Sequence, residues 1–392
     1  MPRLTVRPAR GFLRRPDRDR GASATLVAVL LAGGVLLGMA ALVVDVGKLY
    51  AEREELMSGA DAAAMAVALD CALNRPACEP ATAVGIADAV VDTAEIYAVA
   101  NARDGATAVD YVCGYDPKGR LEPCEEEPVG NLTDCLGERP TDGTAYVEVR
   151  TTTLLPDGST LLPPSFARAL VPGYDGTTVG ACSRVAWGSP GSGLAYTIST
   201  CEWDEATAGG TDLAPPPPAV PDRRYERVIY TKDSPEASPC PAGPSGGDAP
   251  GGFGRLDDDE DGVDDCQTAI TGDEYGGDTG NNFPAACAHA LWDARANRTV
   301  LLVPVFDDVS GSGANTRYHL AGFAAFVVTG YFMSPGGNPN APGNAVSTLT
   351  GQHYCGGPQR CLYGYFTAAL VPGEGEIGPL PSLGAVVVRT IG

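Results

Sequence analysis

Lysine is nearly absent from this 392-residue chain: Lys48, Lys118 and Lys232 are the three among 27 basic residues. Histidine is equally scarce, with His289, His319 and His353 far apart in sequence. Neither C-x-x-C nor H-E-x-x-H occurs, so zinc chemistry of those types has no sequence support. The phosphate-binding loop pattern G-x-x-x-x-G-K-[ST] is missing as well. No charged side chain lies between Gly21 and Val44. Beyond that run the chain is poor in positive charge, and the whole carries a net charge of −22. Such a body repels phosphate backbones, which argues against nucleic acid as a partner.

What positive charge there is clusters at the start. Residues 1–20 hold seven Arg and two Asp. The 24 uncharged residues that follow, GASATLVAVLLAGGVLLGMAALVV, would make a helix of about 36 Å, enough to cross a hydrocarbon core of about 30 Å. The Arg cluster before it should stay cytoplasmic, which exports the C-terminal body. A cleaved signal has an apolar core of about 7–15 residues followed by a small-residue cleavage site. Neither fits here, so a retained single-pass anchor in the cell membrane is expected.

All 12 cysteines lie after the apolar run. An even number on one side of a membrane fits disulfides in an oxidising compartment. Proximity in sequence favours Cys71–Cys78, Cys266–Cys287 and Cys355–Cys361, with Cys201–Cys240 expected across the proline linker.

Helical periodicity continues past the apolar run. Val46, Leu49, Tyr50, Leu56, Met57, Ala60, Ala64 and Val67 recur at helical spacing, interleaved with charges. This predicts an amphipathic stalk helix ending near Cys71. The segment from Arg20 to Ala68 resembles the N-terminal domain of TadG-like proteins of Flp, or tight-adherence, pilus-assembly systems. The resemblance rests on the Arg-Gly start, the uncharged run, Asp45-Val46-Gly47 with Leu49-Tyr50, and Ala60-Asp61-Ala62-Ala63-Ala64. Ser165-Phe166-Ala167-Arg168 and the stretch Thr178–Ala186 are similar to motifs near the end of the relatives' first extracytoplasmic module. Thr197–Trp203 and the run from Val303 to Asn315 resemble an extension of actinobacterial members. Pilin-like relatives carry Glu five residues after the processing Gly. Here that position is Leu26, which favours the TadG-like branch. The resemblance implies a non-enzymatic assembly role, with other pilus or surface proteins and the cytoplasmic membrane as partners and no small-molecule substrate.

The body reads as α+β. Residues 84–103 form a second predicted helix, with Ile86, Val90, Ala94, Tyr97 and Ala98 on one face. Thr107–Tyr115, Thr144–Leu155 and Val179–Trp187 alternate like strands. A long N-terminal helix laid on a sheet is pilin-like in outline. Further strands are expected at Thr299–Phe306, Gly322–Tyr331, Leu362–Leu370 and Ala385–Ile391. The expected organisation is a cytoplasmic tail (1–20), transmembrane helix (21–44), stalk helix (45–70), extracytoplasmic α+β module (71–188), Gly/Pro-rich linker (189–222) and mostly β extracytoplasmic module (223–392).

Three motifs invite chemistry. Asp257, Asp259, Asp261 and Asp265, with Gly262, match the alternating carboxylates of a short calcium loop, although Thr268 stands where an EF-hand has Glu. The competing reading is a solvated acidic loop. If the loop holds calcium, the chain could act as a calcium-dependent surface adhesin. Asp308-Val309-Ser310-Gly311-Ser312 fits the D-x-S-x-S of von Willebrand A domains, but the strand–helix alternation that domain needs does not follow. Gly243-Pro244-Ser245-Gly246-Gly247 fits the G-x-S-x-G of a secreted hydrolase, yet sits in a Pro/Gly-rich stretch instead of a strand–turn–helix. No catalytic residue is assigned.

Overall fold

A computed structural model describes residues 19–73, 75–78, 86–125, 135–232, 240, 256, 266–269, 272–277, 283–311, 315–334, 340–341, 343–371, 377–378 and 380–392. It begins with helix α1 (Asp19–Ala32) and the long helix α2 (Val35–Ala72), parted at Gly33-Gly34. Gly34 adopts φ 68°, a left-handed conformation that glycine takes without steric cost. The continuous membrane helix expected over 21–44 is therefore in two pieces. At 14 residues α1 is about 21 Å long, and α2 meets Asp45 about 15 Å from its start. Among the described residues no helix is long and apolar enough to cross a membrane.

The second half of α2, the expected amphipathic stalk, packs on the body along one face. Leu56, Ala60, Ala63, Ala64, Val67, Ala68 and Cys71 are all buried. They follow a helical stripe, and their small size lets the backbone approach closely. The stripe meets α3 (Ile86–Asn101) and a sheet built from β1 (Thr107–Tyr115), β2 (Ala145–Thr153) and, beyond the short α4 (Ala167–Leu170), β3 (Gly180–Pro190). Val90, Ala94 and Ala98 of α3 face α2, whereas Tyr97, expected on that face, is half exposed. The core closes with Val147, Val149, Val185 and Trp187 from the sheet.

The second body holds β4 (Ser192–Leu194), β5 (Ile198–Ser199), α5 (Thr200–Thr207), β6 (Arg227–Lys232), β7 (Gln267–Ala269), β8 (Glu274–Gly276), α6 (Ala285–Asn297), β9 (Val300–Ser310) and β10 (Arg317–Phe332). After these come β11 (Asn340–Ala341), β12 (Asn344–Ala345) and β13 (Arg360–Thr367), while β14 (Ala369–Leu370) and β15 (Ile377–Gly378) join the first sheet. The large sheet of the second body runs β11-β12-β10-β13-β6, with β8 and β9 on β10 and β5 parallel to β9. Long apolar β10 pairs with both β9 and β13, which buries it almost throughout. The region is rich in β-structure as expected, with α6 added, whereas the stretch 189–222, expected as a Gly/Pro-rich linker, contributes β4, β5 and α5 and buries Leu194, Ile198 and Trp203, because apolar residues stand between its Gly and Pro clusters.

The last strand, β16 (Ala385–Thr390), returns to the first sheet, antiparallel to β3. That sheet therefore reads β1-β2-β3-β16-β14, with β15 also on β3.

All 12 cysteines are paired. The four expected bonds are present. Cys113–Cys124 and Cys135–Cys182 complete the set.

Candidate functional site

Asp45 is the first charge after the apolar run, yet its side chain is buried. Its carboxylate accepts hydrogen bonds from three successive backbone amides. Ser165 donates to Oδ1 at 2.6 Å, Phe166 to both oxygens at 3.1 Å, and Ala167 to Oδ2. These are the amides at the start of α4, which have no partner inside their own turn. Burial alone would raise the carboxyl's pKa, but the three amides and nearby Lys48 outweigh it and hold it below the usual value. The ammonium of Lys48 donates to the Pro163 carbonyl at 2.9 Å. Two motifs noted separately in the sequence, Asp45-Val46-Gly47 and Ser165-Phe166-Ala167-Arg168, are thus one contact.

Further along α2 the polar ties continue. Glu55 accepts the amides of Arg103 and Asp104, just past α3. Thr151 on β2 donates to the Leu56 carbonyl at 2.9 Å. At Gly59 an added Cβ would stand 3.2 Å from the Ala98 carbonyl, so glycine permits the close crossing of α2 and α3. Where the helix ends, Arg120 reaches the Cys71 carbonyl and forms a buried pair with Asp116. Arg120, Asp116, Cys71, Trp187, Ile377 and Leu380 line a cleft of about 570 Å³ there. The side chains of α2 from Asp45 to Cys71 thus fix how the helix docks on the body.

The motifs expected to carry chemistry do not converge. Asp257, Asp259, Asp261 and Asp265 lie outside the described residues, as does Ser245. Asp308 and Ser310 sit at the end of β9 in an antiparallel pair with β10. A von Willebrand A site requires a parallel doubly wound sheet at that point, so this reading is set aside. His289 is exposed on α6, His353 contacts the Tyr363 hydroxyl at 2.8 Å, and His319 pairs with Asp307. Among the described residues, two groupings place cysteines and Glu148 at metal-ligand distances. In both, the sulfurs are locked in disulfides and Glu148 is held by Arg139, Arg150 and Arg184. The arrangement is a structural ion network.

Sequence reading missed the carboxylate of Glu226, which gathers Thr329, Ser347 (2.6 Å) and Tyr354 (2.7 Å). Its partners lie more than 100 residues away, and no local pattern announces them.

Comparison with known proteins sets the Asp45 region in context. Residues 21–70 match a family model described as "Putative Flp pilus-assembly TadE/G-like". The match spans α1 from Gly21 and nearly all of α2, and the rest of the chain lies outside it. No curated protein and no solved structure matches the chain. Over residues 21–70, which hold the apolar run, Asp45 and most of the helix that docks on the body, the chain is therefore similar to TadE/G-like pilus-assembly proteins.

Proposed function

We propose that this protein is a membrane-anchored, non-enzymatic component of an Flp-type pilus-assembly system. In this reading the Arg-rich tail is cytoplasmic and the disulfide-bonded body acts outside the cytoplasmic membrane, on other pilus or surface proteins. The Tad match on 21–70 is the observation that carries it. Exposure supports it: Leu26, Val29, Met39 and Val43 are each over 60 % accessible, so this chain leaves its own apolar run uncovered. A surface of that kind is stable against lipid and costly in water. The break at Gly33-Gly34 parts the run into α1 and the first turns of α2 before Asp45, about 36 Å together, which still suits a bilayer.

Carbonate extraction of cell membranes tests the anchor. Retention in the pellet is expected, and release with the soluble proteins would overturn it. Deletion of the gene should abolish pilus or surface assembly, and intact assembly would remove the functional half. Export predicts that no cysteine of the untreated protein reacts with a thiol alkylator, as mass spectrometry would read.

A calcium-binding role at Asp257–Asp265 is the second reading, carried by the alternating carboxylates. Calorimetry of the purified protein with calcium tests it: no heat and no change in melting temperature would eliminate it.

A further inference from the structure

The contact at Asp45 places a loop of the body beside the end of the apolar run. We propose that the segment 161–174 lies in the interfacial layer of the bilayer, beside the point where α2 leaves it. The inference rests on the anchor reading above and adds a second membrane contact to it.

Three observations carry it. The first is position. Asp45 follows the last uncharged residue of the run, and its carboxylate holds Ser165, Phe166 and Ala167 directly. Any bilayer that covers Val43 and Val44 therefore reaches this loop. The second is surface chemistry. Leu161, Phe166 and Val171 are each about half exposed, and exposed Val43, Val44 and Val46 carry the apolar surface up α2 beside the loop. Lys48 and the Arg168–Asp175 ion pair supply charge at the same level, as the headgroup region favours.

The third observation is the backbone. Backbone groups that reach the edge of the hydrocarbon are costly unless they are bonded internally. Beyond the three amides on Asp45, Leu162 donates to Thr177, Ala169 to Phe166, Val171 to Ala167 and Tyr174 to Val171. A loop whose amides are already bonded in this way can approach the acyl chains without stranding them.

The test uses the full chain reconstituted in phosphatidylcholine–phosphatidylglycerol vesicles with acyl chains brominated near the glycerol end. Two variants, Phe166→Trp and Leu42→Trp, are read against the parent, whose tryptophans are Trp187, Trp203 and Trp292. Both added tryptophans are expected to be quenched by the brominated lipid. Adding Asp45→Ala should weaken quenching at position 166 and leave it unchanged at position 42. Quenching at 42 without quenching at 166 would overturn the proposal and leave the anchor standing. A blue-shifted but unquenched tryptophan at 166 would mean that a second copy or a partner protein covers the loop, which also overturns it. Absence of quenching at both positions would remove the anchor and the proposal together.

Discussion

At the scale of single residues, buried charge sets the stability of the first sheet. Glu148 on β2 is fully buried, and its two oxygens receive Arg139, Arg150 and Arg184 at 2.8–3.2 Å. Burial pushes its pKa up, but the three guanidinium groups outweigh that and bring it down from 4.5 to about 2. A carboxylate with a depressed folded pKa stabilises the fold above its unfolded value and loses that contribution as pH falls toward the folded one. The gap corresponds to about 3 kcal/mol, so the melting temperature should fall steeply between pH 4.5 and pH 2. In Glu148→Gln that acid-dependent slope should flatten, which calorimetry across the range would read. Asp116 and Arg120 form a second buried pair. Arg120→Ala strands a buried carboxylate and should cost about 3–5 kcal/mol in denaturant unfolding. Asp45→Ala should act locally: amide exchange at Ser165, Phe166 and Ala167 should quicken by about tenfold or more, since a hydrogen bond to a charged group contributes about 1.5–3 kcal/mol.

At the scale of elements, α2 is where sequence and structure meet most closely. Its burial stripe is readable from the spacing of Leu56, Ala60, Ala64 and Val67, and so is its end near Cys71. The expectation of an amphipathic stalk did not say which element its alanine-rich face meets, because such a face suits solvent and close packing alike. Gly59 decides for packing. Gly59→Val would push Ala98 away and should destabilise by about 1–3 kcal/mol, with α3 protection lost first in hydrogen exchange. The interruption at Gly33-Gly34 was visible only as two glycines, which membrane helices tolerate; the left-handed turn at Gly34 is a backbone choice that composition does not announce. Helix α5 could have been found. Ser199 and Glu202 form a capping box, a signature that stands in the sequence as S-x-x-E. It went unused because short strands and prolines dominate its surroundings. Helix α6 likewise shows Cys287, Leu291 and Ala294 at helical spacing.

At the scale of the whole molecule, the return of β16 to β3 ties the C-terminal strand to the first sheet. Val387, Val388 and Arg389 pair with Gly188, Trp187 and Ala186. Removing residues 383–392 should therefore unfold the N-terminal body as well as shorten the C-terminal one. Protease digestion would show early cleavage within 56–72, a stretch otherwise buried. The longest-range disulfide of this body, Cys135–Cys182, spans 47 residues and fastens the loop before β2 to β3. Its replacement by alanines should cost about 2–5 kcal/mol.

The sequence by itself determined the uncharged run, the one-sided cysteines, the helical continuation past Asp45 and the main strands. Each depends on local periodicity or on composition, which a chain displays before it folds. Three of the six disulfides followed from short separations and Cys201–Cys240 from pairing across the proline run, whereas Cys113–Cys124, only 11 residues apart, was not among those expected. Tertiary structure alone decided that Asp45 meets Ser165, Phe166 and Ala167, that Glu148 gathers three arginines, and that β16 closes the first sheet. Those contacts join residues brought side by side only by strand register and helix docking. Both are fixed by burying the alanine and valine faces of α2 and the sheet against each other.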